Sequence, residues 1–166
     1  MPNRPGRFAE FNYIGLHTYF LTICTDNRHP AFADLEFGRW AATQLLRHAS
    51  GRAFSVIAYS LMPDHAHLVL QGQSDAADLK SLVLSWNTRT AYAWRMARGT
   101  RLWQSGYYDH VLREGENVLA VARYVLMNPV RAGLVHDAAD YPLSGSSEHS
   151  IQDILAAAQD WRPWWQ

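Results

Sequence analysis

Two runs of strand-forming residues, 54–61 and 65–71, are separated only by Met62-Pro63-Asp64, a spacer that reads as a hairpin turn. Two antiparallel neighbours are thereby fixed in the middle of the chain, and the rest of the fold must be built round them. Side chains on a strand alternate faces. In His65-Ala66-His67-Leu68-Val69-Leu70 the two histidines therefore share one face, while Ala66, Leu68 and Leu70 share the other. Same-face neighbours lie roughly 6.5–7 Å apart, close enough for two imidazoles to converge on one metal ion. Two ligands underfill any metal site, so a third oxygen or nitrogen donor is needed from elsewhere. A pair of hydrogen-bonded histidines fits the same pattern.

The flanking segments give the architecture. Residues 15–25 are rich in β-branched and aromatic types and read as a strand, and Asp26-Asn27-Arg28-His29-Pro30 is turn chemistry. From Ala33 to Ala49, the residues Phe37, Trp40, Ala41, Leu45 and His48 recur at helical spacing. A longer helix is expected over Asp75–Met96, closed by Gly99, followed by a strand-like segment over Leu102–Arg113. Asn117–Met127 reads as a third helix stopped by Pro129, and Ile151–Ala158 as a short last one. The order βαββαβ suits an α+β fold, a ferredoxin-like four-stranded antiparallel sheet with two helices on one face. An additional C-terminal helix is then free to cover the histidine face.

With 166 residues, 48% of them hydrophobic, the chain can build a sizeable core. The single cysteine, Cys24, excludes an internal disulfide and reads as a buried strand residue. No apolar run reaches membrane-spanning length, and Met1-Pro2-Asn3-Arg4-Pro5 lacks the apolar core of a signal peptide. A soluble intracellular protein is expected. The net charge of zero conceals a split: residues 1–131 carry 14 basic against 10 acidic side chains, whereas residues 132–166 carry Arg162 against five acids. A mildly basic body and an acidic tail result. Arginine outnumbers lysine 14 to one, which suits phosphate contacts and equally follows from a GC-rich genome. We divide the chain into a domain over residues 1–144 and an acidic, Trp-rich tail over 145–166.

The third helix offers further chemistry. Tyr124 and Asn128 are four residues apart and so share a helix face. A phenol is a usable nucleophile for phosphoryl transfer, although its pKa near 10 means it needs help losing its proton. Asn128 supplies an amide oxygen suited to Mg2+ or Mn2+ held beside water and phosphate. The plainer alternatives are a core aromatic for Tyr124 and a helix C-cap for Asn128. Tyr107 and Tyr108 are rival nucleophiles, but lie in a strand-like segment with no ligand partner one helical turn away.

Three blocks carry a resemblance: Met62-Pro63-Asp64-His65-Ala66-His67-Leu68-Val69, Leu102–Arg113, and Tyr124–Val135. In order and spacing they resemble the IS200-like Y1 transposases, and within these the branch of REP-associated tyrosine transposases. The resemblance runs from about Tyr19 to Leu143 and leaves the acidic tail outside. It implies an HUH-type single-stranded DNA endonuclease and strand-transferase acting on hairpin, REP-like repeats. His65 and His67 match the metal-binding histidines of that family, Tyr124 its catalytic tyrosine, and Asn128 the polar residue that completes the metal site. Ala66 departs from the bulky residue usual between the histidines, which alters packing rather than ligand geometry. The implied cofactor is Mg2+ or Mn2+, and the implied intermediate a 5′-phosphotyrosine link with release of a 3′-hydroxyl. The partners implied are single-stranded and hairpin DNA and no membrane, for a monomer or homodimer in the bacterial cytoplasm at the nucleoid.

Candidate DNA contacts are Trp103, Gln104, Arg113 and Arg131, since aromatic faces stack unpaired bases and arginine meets phosphates. No general base stands out, and His110 is a weak candidate. Two rivals remain open: a repeat-DNA-binding protein of the same fold without cleavage, and a zinc hydrolase, which needs a third strong ligand. The tail, by its charge and tryptophans, is expected to fold over the basic DNA face.

Overall fold

The structure, a computed structural model, describes residues 11–157 and 161–163. The N-terminal run from Met1 to Pro5, Ala158 of the expected last helix, and the tail residues Asp160, Trp164 and Trp165 lie outside the described residues. The elements are β1 (Thr18–Cys24), α1 (Leu35–Ser50), β2 (Phe54–Met62), β3 (His65–Gly72), α2 (Leu79–Arg98), β4 (Tyr108–Val111), α3 (Val118–Leu126), α4 (Asn128–Arg131), β5 (Ser144–Gly145) and α5 (Ile151–Leu155). Short 3-10 turns occupy Asp26–Arg28, Ala31–Ala33 and Ala138–Asp140. No helix among the described residues is long and apolar enough to cross a membrane.

The sheet order is β4-β1-β3-β2-β5, with every pairing antiparallel. The expected count of four strands is corrected to five. Buried Tyr141 donates its hydroxyl to the Leu61 carbonyl at 2.7 Å, and Ser144 meets Ser60 hydroxyl to hydroxyl at 2.9 Å. These bonds hold a two-residue strand on the open edge of β2. Gly145 is needed there, because a Cβ would come within 2.8 Å of the Tyr59 hydroxyl.

Local chemistry sets the other boundaries. Asp34 and Asp78 cap α1 and α2, accepting from the Phe37 and Ser81 amides, so α2 begins later than the expected Asp75. Gly99 closes α2 in the left-handed conformation, φ 71°. The expected strand over Leu102–Arg113 narrows to Tyr108–Val111. Its first part is drawn onto the helix layer, where Trp103 packs against Phe32 and Trp86 and donates its indole N–H to Thr90. Pro129 does not stop the helical path. Met127 keeps right-handed dihedrals (φ −80°, ψ −8°), and Pro129 sits in the first turn of α4, where the missing N–H costs no helical bond. Asn128 therefore opens α4 instead of capping α3.

The sheet buries both faces. Tyr19, Leu21, Ile23, Ala66, Leu68 and Leu70 share one core with Leu45 of α1 and Leu82 and Trp86 of α2. Phe20, Ile57, Ala58 and Val69 form a second core with Val121, Tyr124 and Val125 of α3 and Ile154 of α5. The alternation expected in β3 is observed, with Ala66, Leu68 and Leu70 on the α1/α2 side.

Candidate active site

His65 and His67 open β3, opposite Cys24 and Thr22 of β1 and opposite Met62 and Ser60 of β2. Their Nε2 atoms lie 3.0 Å apart. Each outer nitrogen is held: His67 Nδ1 by the Thr22 hydroxyl at 2.9 Å, His65 Nδ1 by Asp64 Oδ1 at 2.7 Å. A carboxylate only accepts, so His65 Nδ1 carries hydrogen and its Nε2 presents a lone pair. His67 can donate into that lone pair while Thr22 donates to His67 Nδ1. For both Nε2 lone pairs to face a cation, His67 would carry its hydrogen on Nδ1 and donate it to the Thr22 hydroxyl, which can accept by rotating its own hydrogen away.

Burial sets the charge state. His67 is 8% exposed, and its pKa is pushed down to about 3, by burial first and then by the charges of His65, Arg131 and Arg28, against a hydrogen bond to the Leu21 carbonyl. Burial also lowers His65, with Asp64 opposing the shift and Arg28 adding to it. Both imidazoles are thus neutral near pH 7, the form that binds metal.

The two Nε2 atoms face each other at hydrogen-bond distance, 3.0 Å, so both imidazoles turn their inner nitrogens to one point. Among the described residues no cluster of three His, Cys, Asp or Glu side chains gathers, so the strong third ligand required by a zinc hydrolase is missing from them. On α4 the Asn128 side-chain amide is buried with its Nδ2 lacking a hydrogen-bond partner, and the oxygen of such an amide, with two neutral imidazoles, is the donor chemistry a hard divalent cation accepts.

Tyr124 lies on the same sheet face, 7% exposed. Asn117 caps α3 by accepting from the Leu119 and Ala120 amides, which anchors the helix carrying the tyrosine. The Phe20 ring joins the two groups. It stacks on the His67 imidazole (centroids 5.5 Å, 20°) and meets the Tyr124 ring edge-on (6.2 Å, 75°). The Arg131 guanidinium lies 4.0 Å from the Tyr124 ring centroid and donates to the Tyr124 carbonyl. From the tail, Trp161 packs edge-on against Tyr124 (5.2 Å) and Phe20 (5.6 Å) and donates to Glu116 at 3.4 Å.

The other named residues divide clearly. Trp103 is 5% exposed, so stacking DNA bases on it is corrected to a core role: both its polar group and its faces are used inside. Gln104 sits at the histidine end of β1, its amide donating to Cys24. Exposed Arg113 follows Leu112, which bonds to Thr18 at the far end of β1, about 20 Å along the strand from His65. His110 is tied to the Glu116 carboxylate at 3.0 Å. Tyr107 packs in the α1/α2 core. Tyr108 approaches Phe20, and burial, then the charges of Asp109 and Glu116, hold its hydroxyl well above the ordinary phenol range, which suits it poorly as a nucleophile.

Sequence reasoning missed Thr22, Phe20, Asp64 and Arg28. Asp64 was readable as the neighbour of His65, but the others depend on cross-strand register and on a turn.

Comparison with known proteins places this geometry. A REP-associated tyrosine transposase of Escherichia coli (strain K12) is 25% identical over 137 residues, covering 80% of this chain and 78% of that protein. A solved structure of a REP-associated tyrosine transposase bound to a REP hairpin shares the fold at TM-score 0.67 and 22% identity, covering 95% of this chain and 92% of that one. Residues 14–128 match the family described as "Transposase IS200 like", a span that takes in the histidine pair, Tyr124 and Asn128, and the chain belongs to that family.

Proposed function

We propose that the protein is a divalent-metal-dependent single-stranded DNA endonuclease and strand-transferase acting on REP-like hairpins through Tyr124. The carrying observation is the pair of neutral imidazoles, Nε2 atoms 3.0 Å apart, on the sheet face that also holds Tyr124, with Phe20 against both. Two relatives, one by sequence and one by structure, are REP-associated transposases.

His65, His67 and Asn128 would hold the cation, Mg2+ or Mn2+. When bound it withdraws charge from a phosphate oxygen of the scissile link. Tyr124 attacks the phosphorus in line: a P–O(tyrosine) bond forms, the P–O3′ bond breaks, and the leaving 3′ oxygen takes up a proton while the phenol loses one. The product is a 5′-phosphotyrosine. A 3′-hydroxyl reverses the step and rejoins strands without an external energy source, because the phosphodiester is exchanged and not hydrolysed. Arg131, against the tyrosine, provides positive charge for the incoming strand. Trp161 packs edge-on against the Tyr124 ring (5.2 Å), and through that contact it restrains the ring that must turn its hydroxyl to the phosphate.

The test is a labelled hairpin oligonucleotide incubated with Mn2+ and the full chain. A covalent adduct that is lost in Tyr124→Phe is expected. Hairpin binding with no adduct from any REP-like substrate would establish the non-cleaving DNA-binding alternative.

A further inference from the structure

The turn Asp26–Arg28 holds the one place among the described residues where two consecutive non-glycine residues have left-handed backbones, Asn27 at φ 51° and Arg28 at φ 56°. This conformation crowds the Cβ against the chain's own carbonyl. Asparagine tolerates it, but arginine has no local means of relief. Such strain persists where the surroundings over-determine it. Here they do. Thr25, 0% exposed, sets its hydroxyl between the carbonyls of His29 (2.7 Å) and Asp64 (2.8 Å), and its amide also donates to Asp64. The strained turn is thus fastened to the turn that leads into His65.

The effect of the strain is to lay Arg28 against the site. Its Nε donates to Asp64 Oδ2 at 2.9 Å and its Nη1 meets Cys24 Sγ at 2.8 Å. The other carboxylate oxygen, Oδ1, accepts from His65 Nδ1 at 2.7 Å. Asp64 is gripped on both sides, one partner per oxygen. Stability is a poor reason for this arrangement, because the Arg28 side chain is 53% exposed and ion pairs so open to water contribute little.

We propose that Arg28 is a positioning residue for His65, acting through Asp64: it holds the carboxylate so that the imidazole stays in the Nδ1–H tautomer, with the Nε2 lone pair directed at His67. Without Arg28 the partly exposed Asp64 is free to turn toward solvent, and His65 loses the acceptor that distinguishes its two nitrogens. The tautomer needs no metal; only the consequence for cation binding rests on the function proposed above. Carboxylate partners of metal-binding histidines act in this way, and losing one typically weakens metal binding about 10- to 100-fold.

The experiment uses the full chain in two arms. Imidazole 15N NMR of the metal-free protein is expected to show one Nδ1–H tautomer at His65 in wild type, a mixture in Arg28→Met, and largely the wild-type state in Arg28→Lys, which keeps the charge beside Asp64. Titration with Mn2+ alone, read as free Mn2+ by electron paramagnetic resonance, is expected to give a half-saturating concentration about tenfold higher in Arg28→Met. Asp64→Asn should show the same weakening, and adding Arg28→Met to it should change the value less than about twofold, because the two residues act as one unit. Wild-type tautomer and Mn2+ affinity in Arg28→Met would overturn the proposal, as would multiplicative effects in the double variant. If Arg28→Met fails to fold, Arg28→Gly, which suits the left-handed backbone (φ 56°) and also removes the guanidinium, carries the same cycle with Asp64→Asn. Failure of wild type to bind Mn2+ overturns the metal reading and leaves the tautomer arm to decide this one.

Discussion

On the side of the sheet covered by α1 and α2, the strands present Tyr19, Leu21, Ile23, Leu68 and Leu70 to Trp86, Leu82 and Leu45. There the tryptophans spend their N–H groups inside, Trp86 on the Ala41 carbonyl and Trp103 on Thr90. The side covered by α3 and α5 is smaller and mixes hydrocarbon with chemistry: Phe20, Val69 and Ile57 stand beside His67 and Tyr124. Neighbouring residues of one strand, Leu68 and Val69, serve opposite sides. The difference teaches that a single sheet can separate folding from reactivity by strand parity alone. The α1/α2 side holds the larger cluster of buried side chains, and the other side can then hold a desolvated imidazole pair.

The largest expected effect would break that separation if absent. Tyr124→Phe should lower covalent adduct formation at least about a thousandfold, since it removes the attacking oxygen, while the unfolding free energy from urea denaturation changes by less than about 1 kcal/mol. Trp86→Ala should do the reverse, costing about 3–5 kcal/mol of stability by equilibrium denaturation. A cost near that of an exposed substitution would mean that the α1/α2 core is not the main source of stability. Trp161→Ala sharpens the comparison from the reactive side. One edge-on aromatic pair is worth about 1 kcal/mol, so releasing the Tyr124 ring should raise the initial rate of adduct formation about fivefold. Asn117→Ala removes the cap of the tyrosine helix and should cost about 1 kcal/mol.

The smallest effect is a pH dependence. The Phe37 amide holds the Asp34 carboxyl below its ordinary 3.8, slight burial opposing and Arg98 assisting. A lowered folded-state pKa gives stability that is complete above 3.8 and is lost as pH falls through the folded value. Asp34→Asn should therefore flatten the acid limb of the stability profile below about pH 4 and leave cleavage at neutral pH unchanged.

The histidine face was legible because alternation is local: the position of His67 relative to Leu68 follows from the strand period whatever lies around it. The helix that carries Tyr124 was legible for the same reason, at helical period. Pro129 was not, since proline both ends helices and begins them, and only the structure shows that α4 starts there. The strand Ser144–Gly145 has no pattern to read, and its place is settled by Tyr141 reaching Leu61 across 80 residues of chain. Trp103 shows the limit from another side, because an aromatic near arginines looks like a base-stacking platform until its packing is known. Arg28 lay in a turn of unremarkable composition, and nothing local announced its left-handed backbone.

Phe20 carries no reactive atom, yet its ring is at once a wall for the imidazole, a wall for the phenol and a seat for the tail tryptophan. A shift that suits one of these neighbours displaces the other two. Freedom to vary should therefore be narrowest at an inert hydrocarbon, and suppressors of its substitutions should arise at Trp161, Val121 or Val69 before they arise at the groups that do the chemistry.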